Sequence, residues 1–135
     1  KCIIDALKDA NIKGAEIDAI NGHLTATVKD STEIENWTKA LGRKGKKFPM
    51  INSLKSMVGH CLAASASIEN VATVLQLKHQ FVFPNINCEV IHPEILKLIP
   101  KEKIPTKSIA KELNIIAKAS FGFGDVNGCV IFKKY

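Results

Sequence analysis

Residues 55–69 read KSMVGHCLAASASIE, with Lys55, His60 and Glu69 set around a run of alanines and serines. The segment before it, PMINSL (49–54), is a short apolar run between turn-forming and charged residues, which reads as a buried strand. The segment after it keeps apolar residues at helical spacing, Ala64, Ile68, Val71, Leu75 and Leu77, so a helix is predicted over residues 60–79. Ala63, Ala66 and Ser67 leave its other faces thin. A helix with so little bulk fits between two other layers, and a strand, a polar loop and a buried helix in succession point to an α/β protein.

Outward from this stretch the pattern is consistent. CIIDALKDAN (2–11) has helical spacing and Gly14 stops it. EIDAIN (16–21) reads as a strand that delivers the chain to NGHLTAT (21–27), which has no helical period. Asp30 or Ser31 is the expected cap of a helix through TEIENWTKAL (32–41), with Glu33 and Glu35 in the first turn, where carboxylates suit the helix dipole. Gly42 ends it. Downstream, FVFPNIN (81–87) is extended and interrupted by Pro84, and residues 88–111 form a connection containing proline and lysine. IIAKASF (115–121) and GCVIFKKY (128–135), joined by the glycine-rich FGFGDVNG (121–128), read as a closing antiparallel hairpin. The expectation is one mixed sheet from strands near 16–21, 49–53, 115–121 and 128–134, with the helix of residues 60–79 on its inner face.

At 135 residues and 46% hydrophobic, the chain can bury one core, and residues 1–135 are expected to form a single domain. It begins at Lys1, directly in an amphipathic pattern, and reads as a piece of something longer. No apolar run is long enough to cross a membrane and no export signal precedes the first helix, so a cytoplasmic protein without a membrane partner is expected. Cys2, Cys61, Cys88 and Cys129 are far apart, form no C-x-x-C pair, and read as small buried residues; neither a metal nor a disulfide framework is expected. The net charge of +6 and the run RKGKK (43–47) raise a nucleic-acid-binding class. Such a surface wants aromatic interleaving, and aromatics are 6% of the chain, so a solvated loop is the plainer reading.

Chemistry is expected where strands end in polar or glycine-rich loops: NGHLTAT, LKSMVGH and ASFGFGDVNG. His79 and His92 sit among turn and loop signals and read as structural. His23 and His60 each close a strand-to-loop passage beside glycine.

These three segments resemble the motifs N-A-H-G-T-x-T, K-S-x-x-G-H and N-S-F-G-F-G-G-T-N of the β-ketoacyl-acyl carrier protein synthases, in the same order and over nearly the whole chain. The resemblance implies a thiolase-like α/β fold of which this is the C-terminal half only, a mixed sheet with a central buried helix. It implies a decarboxylative Claisen condensation of malonyl-carrier protein with an acyl thioester, in fatty-acid or polyketide-type synthesis. The nucleophilic cysteine of such enzymes lies outside this chain. Cys61 adjoins His60, but consecutive helical residues point about 100° apart, which makes it a poor partner.

By the same resemblance His23 and His60 are the two active-site histidines, whose N–H groups would stabilise an enolate oxygen. A helix start at His60 would favour its neutral imidazole. Lys55 and Glu69 correspond to a buried pair that organises the site. Thr25 and Thr27 correspond to threonines that bond the phosphopantetheine arm, which the acyl carrier protein brings, so no resident cofactor is implied. Phe121 corresponds to an oxyanion-hole and gating residue, with Phe123 near the acyl group and Asn21, Gly122 and Gly124 in support. Expected partners are acyl carrier protein, the N-terminal half of the same enzyme, and a second subunit in a homodimer or heterodimer; the isolated fragment should self-associate and be inactive. Leu24 and Gly22 depart from the first motif, and Ala119, Asp125 and Val126 from the third, pointing to a divergent branch. A non-catalytic subunit of the chain-length-factor type is the competing class, although such subunits usually lack the histidines retained here.

Overall fold

The computed structural model describes residues 1–135. Helix α1 (Cys2–Asp9) leads through a 3-10 turn to strand β1 (Ala19–Asn21), then to α2 (Lys29–Leu41) and β2 (Met50–Asn52). The short α3 (Lys55–Val58) precedes the long α4 (Ser65–His79). Strand β3 (Phe81–Val82), helix α5 (Pro93–Leu96) and strand β4 (Ile109–Ala110) occupy the connection, and the hairpin of β5 (Ile115–Phe121) and β6 (Asn127–Lys133) completes the chain. The main sheet has the order β2-β1-β5-β6. β1 runs parallel to both β2 and β5, and β5 pairs antiparallel with β6, which is the mixed sheet the four strand patterns predict. β3 and β4 form a separate two-stranded ladder.

The strands alternate faces residue by residue, and that alternation sorts the core. Ile20 of β1, Ile51 of β2, and Ala117 and Ala119 of β5 join Ile3 and Leu7 of α1 and Ile34, Trp37 and Leu41 of α2 in one apolar layer. On the opposite face Ala19 and Ile116 pack with Leu77 of α4, Val82 and Leu113. The next positions of that parity are polar: Asn21, Asn52 and Lys118, all buried. α4 answers them with Glu69, Thr73 and Gln76, also buried. Asn21 Nδ2 donates to Thr73 Oγ1 at 3.0 Å, and Asn52 Nδ2 donates to Gln76 Oε1 at 2.8 Å. The layer between sheet and helix is therefore hydrogen-bonded as well as packed.

The local start and stop signals account for most boundaries. Gly42 takes a left-handed φ of 64° and terminates α2. Two expectations at helix starts need correction. α2 begins at Lys29, ahead of Asp30 and Ser31, because Asp30 turns its carboxylate back to the preceding loop, accepting from the N–H groups of Thr25 and Ala26, each at 3.0 Å. The helix predicted from residue 60 begins at Ser65, because Gly59 (φ 74°, ψ −178°) and Leu62 (φ 50°) break the path between α3 and α4. The apolar spacing on α4 is real, but Ile68, Val71, Val74 and Leu75 face outward and are exposed, while the sheet receives the polar face. In RKGKK, Lys44, Lys46 and Lys47 are exposed as a solvated loop requires. Arg43 instead folds in and donates from Nη1 to Ile17 O at 2.6 Å and Gly14 O at 3.2 Å.

Candidate active site at three strand ends

The C-terminal ends of three adjacent parallel strands, β2, β1 and β5, open on one side of the sheet. Each feeds a loop bearing a singled-out residue: β1 leads to His23, β2 to Lys55 and His60, and β5 ends at Phe121. This sheet geometry brings His23 and His60, 37 positions apart in sequence, to a ring-centroid separation of 5.5 Å with the rings at 84°. The Phe121 ring stands 6.1 Å from His23 at 72°.

The loop carrying His23 is fastened by two carboxylates of α2. Glu33 Oε1 accepts from His23 N at 2.8 Å, and Oε2 from Leu24 N at 2.9 Å. Trp37 Nε1 also donates to Glu33 Oε1, at 3.2 Å. Burial raises the Glu33 pKa, and these three donors act against that rise. Ser53 at the end of β2 donates to Leu24 O at 3.0 Å. Leu24 itself packs against the main core, so the larger side chain at this departure from the motif is accommodated. A Cβ at Gly22 would meet Glu33 Oε1 at 2.8 Å, which makes glycine the residue compatible with this clasp.

His23 is half-buried, and its pKa is pushed down to about 4, chiefly by burial, with Lys55, His60 and Lys118 adding to the effect and Glu69 opposing it. The imidazole is therefore neutral at pH 7. Its Nδ1 is occluded without a partner. His60 is exposed and sits in the turn after Gly59, five residues before α4, so the expected helix start does not fall on it and no helix dipole selects its tautomer. Hydrogen bonding does: the backbone N–H of Leu62 donates to His60 Nδ1 at 3.0 Å, and Ser65 Oγ lies 3.3 Å from the same atom. An Nδ1 that accepts from a backbone amide places the proton of the neutral ring on Nε2. Leu62 adopts its left-handed φ in making this contact.

Beneath the histidines Lys55 donates to Glu69 Oε1, and both side chains are buried, so Lys55 is no surface lysine. Sequence reasoning missed a third member. Lys118 Nζ lies 2.5 Å from Glu69 Oε2, a charge contact without hydrogen-bond direction, and is itself buried. The available signal was a lysine in the middle of an otherwise apolar strand, IIAKASF. Glu33 was also missed as a clasp. Asn21, expected in support, bonds to α4 rather than facing the opening.

Thr25 Oγ1 and Thr27 Oγ1 are 3.2 Å apart on the outer part of the His23 loop. Phe123 is fully exposed in the turn between β5 and β6. Gly122 N donates to Val126 O at 2.8 Å, so this glycine ties the loop, whereas Gly124 (φ 70°) supplies its left-handed turn. Asp125 also takes a left-handed φ, 60°, at a position where the resembled motif has glycine. Cys61 is half-buried, with its thiol directed to Val58 O at 3.7 Å.

Comparison with known proteins places this fold in a class. Its solved structural neighbours are ketosynthases. One is described as "AntDE:AntF (apo): type II PKS acyl-carrier protein in complex with its ketosynthase bound to the hexaketide", with TM-score 0.87, 33% identity, and coverage of 99% of this chain and 32% of that one. Another is a beta-ketoacyl synthase from Burkholderia phymatum STM815, with TM-score 0.86, 27% identity, and coverage of 98% and 32%. The chain belongs to the family described as "Beta-ketoacyl synthase, C-terminal domain", whose model matches residues 1–89. It is 38% identical over 130 residues to 3-oxoacyl-[acyl-carrier-protein] synthase 2 of Vibrio harveyi, covering 96% of this chain and 30% of that protein. To the chloroplastic 3-oxoacyl-[acyl-carrier-protein] synthase I of Arabidopsis thaliana it is 33% identical over 135 residues, covering 99% and 27%. The chain thus spans under a third of the length of these curated relatives. No helix is long and apolar enough to cross a membrane.

Proposed function

We propose that this chain supplies the histidine side of a decarboxylating acyl-condensation site, in a 3-oxoacyl-acyl carrier protein synthase whose nucleophilic cysteine lies in a part of the protein outside residues 1–135. The observation that carries the reading is the pair His23 and His60, with rings 5.5 Å apart, the first held neutral and the second fixed as an Nε2–H donor.

The reaction suits two N–H donors. When the malonyl carboxylate leaves as carbon dioxide, its bonding pair passes to the α-carbon and the thioester oxygen, giving an enolate. Donors aimed at that oxygen lower the barrier. The α-carbon then attacks the acyl thioester on the cysteine; a carbon–carbon bond forms, the carbon–sulfur bond breaks, and thiolate leaves. Lys55 and Glu69 hold the floor of the site. In this reading Thr25 and Thr27 bond a phosphopantetheine arm on acyl carrier protein, and Phe121 borders the acyl group. The structural neighbour that contains an acyl carrier protein with its ketosynthase supports that partner. A chain-length-factor subunit offers the same fold, and one neighbour is described as the ishigamide ketosynthase/chain length factor. The retained histidines and the Lys55–Glu69 pair favour the catalytic reading.

In the full-length parent, His23→Ala or His60→Ala should slow carbon dioxide release from malonyl-carrier protein by about 10²- to 10³-fold, the effect of removing one oxyanion donor. Acylation of the cysteine should suffer less. Unchanged decarboxylation in either variant would refute the assignment. Residues 1–135 alone should not turn over, because a donor pair open to water stabilises an anion weakly.

A further inference from the structure

Lys118 plays no part in the motif reading, yet it is among the most buried side chains, 2% exposed in the middle of β5. It faces α4, with Asn21 beside it on β1. Its ammonium contacts Glu69 Oε2, donates to Ala119 O at 2.8 Å and donates to Ser120 Oγ. Lys55 takes the other oxygen of the same carboxylate. Two buried cations thus share one anion. Glu33 is the only other buried carboxylate of the chain, and both its oxygens already accept from His23, Leu24 and Trp37.

A buried ammonium is costly unless something balances it. We propose that Lys118 is a positioning residue for the anion formed at the histidine pair: with Lys55 and Glu69 it makes a buried triad of net positive charge, whose field favours negative charge on the substrate oxygen at His23 and His60. This rests on the condensation chemistry proposed above. Lys118 acts without touching substrate, through its field and through its grip on Ser120, the neighbour of Phe121. The same field is felt by His23, whose protonation Lys55, Lys118 and His60 oppose and Glu69 favours. Burial lowers the pKa of Lys118 itself, and Glu69 acts to keep it charged.

The test uses the full-length parent and three variants. Lys118→Gln keeps a donor for Ala119 O and Ser120 Oγ but removes the charge; Lys118→Met is a second neutral variant of similar length; Lys118→Arg keeps the charge. Steady-state carbon dioxide release from malonyl-carrier protein is measured together with acylation of the cysteine, and His23 is titrated by NMR with labelled histidine. The neutral variants should lose about tenfold in kcat, with KM and acylation little changed, and the His23 midpoint should rise. Lys118→Arg should retain most of the activity and the low midpoint. A neutral variant with wild-type kcat, or with an unmoved His23 midpoint, would overturn the proposal. So would failure of both neutral variants to fold while Lys118→Arg folds, which would assign the lysine to structure alone. A wild-type parent that releases no carbon dioxide refutes the functional reading first, before any variant is compared, and the proposal with it.

Discussion

Replacing Glu69 by glutamine tests whether the two lysines depend on one carboxylate. The amide keeps the volume but can accept from only one ammonium, and it turns its own N–H groups toward the other. Glu69 is 1% exposed and the side chains of Lys55 and Lys118 are 5% and 2% exposed, so water cannot take over as partner. Breaking a buried pair by removing one partner costs about 3–5 kcal/mol, and with two cations left behind the upper end applies. Urea unfolding of the chain, with the slope checked to be unchanged, gives the loss directly. The double variant Glu69→Gln/Lys118→Met should recover roughly half of it, since one of the two stranded charges is gone. A single-variant cost below about 1 kcal/mol, or simple additivity in the double variant, would refute the shared-carboxylate account.

Two further outcomes follow from local geometry. Gly59→Ala places a side chain in a backbone region nearly reserved for glycine, with no steric contact to blame, and should cost about 1–3 kcal/mol while moving His60, visible as a changed His60 environment by NMR. The His23 imidazole has a folded pKa of about 4 against an ordinary value of 6.5, so the unfolded chain binds more protons between these limits. Its contribution to stability is complete above pH 6.5 and declines as the pH falls toward 4; the difference in unfolding free energy between wild type and His23→Gln, measured across that range, should show this slope and lose it outside.

The sheet and its three strand-end loops were legible because their signals are local. Apolar strands such as PMINSL and IIAKASF stop at glycine or charge, and Gly42 marks a helix end through its own φ. The start of α4 was not legible: Cys61 to Ala64 are all compatible with helix, and the left-handed turn at Leu62, whose N–H donates to His60 Nδ1, leaves no mark in the residue types. Nor was the direction of the helix. Apolar spacing identifies a face that wants cover, but residues 68, 71, 74 and 75 do not say which surface provides it, and the sheet had already been claimed by polar residues. Glu33 looked like a complement to a helix dipole because its three donors lie in another loop and another turn of the chain. The β3–β4 ladder is two residues long on each side, too short to leave a period.

The paired asparagines of β1 and β2 bear on how such a domain can be recombined. Asn21 and Asn52 stand opposite one another in register, one bonded to Thr73 and the other to Gln76. A slip of either strand by one residue would turn its amide into the apolar layer, and a one-turn slide of α4 would separate both amides from their acceptors. The pairing therefore works as a two-toothed key between segments that are distant in sequence. A chimera with its junction between Asn52 and Thr73 inherits strands from one parent and the matching helix teeth from another. Such hybrids should tolerate free exchange of the outward residues 68, 71, 74 and 75, but only parents that agree at 21, 52, 73 and 76 will align His23 with His60.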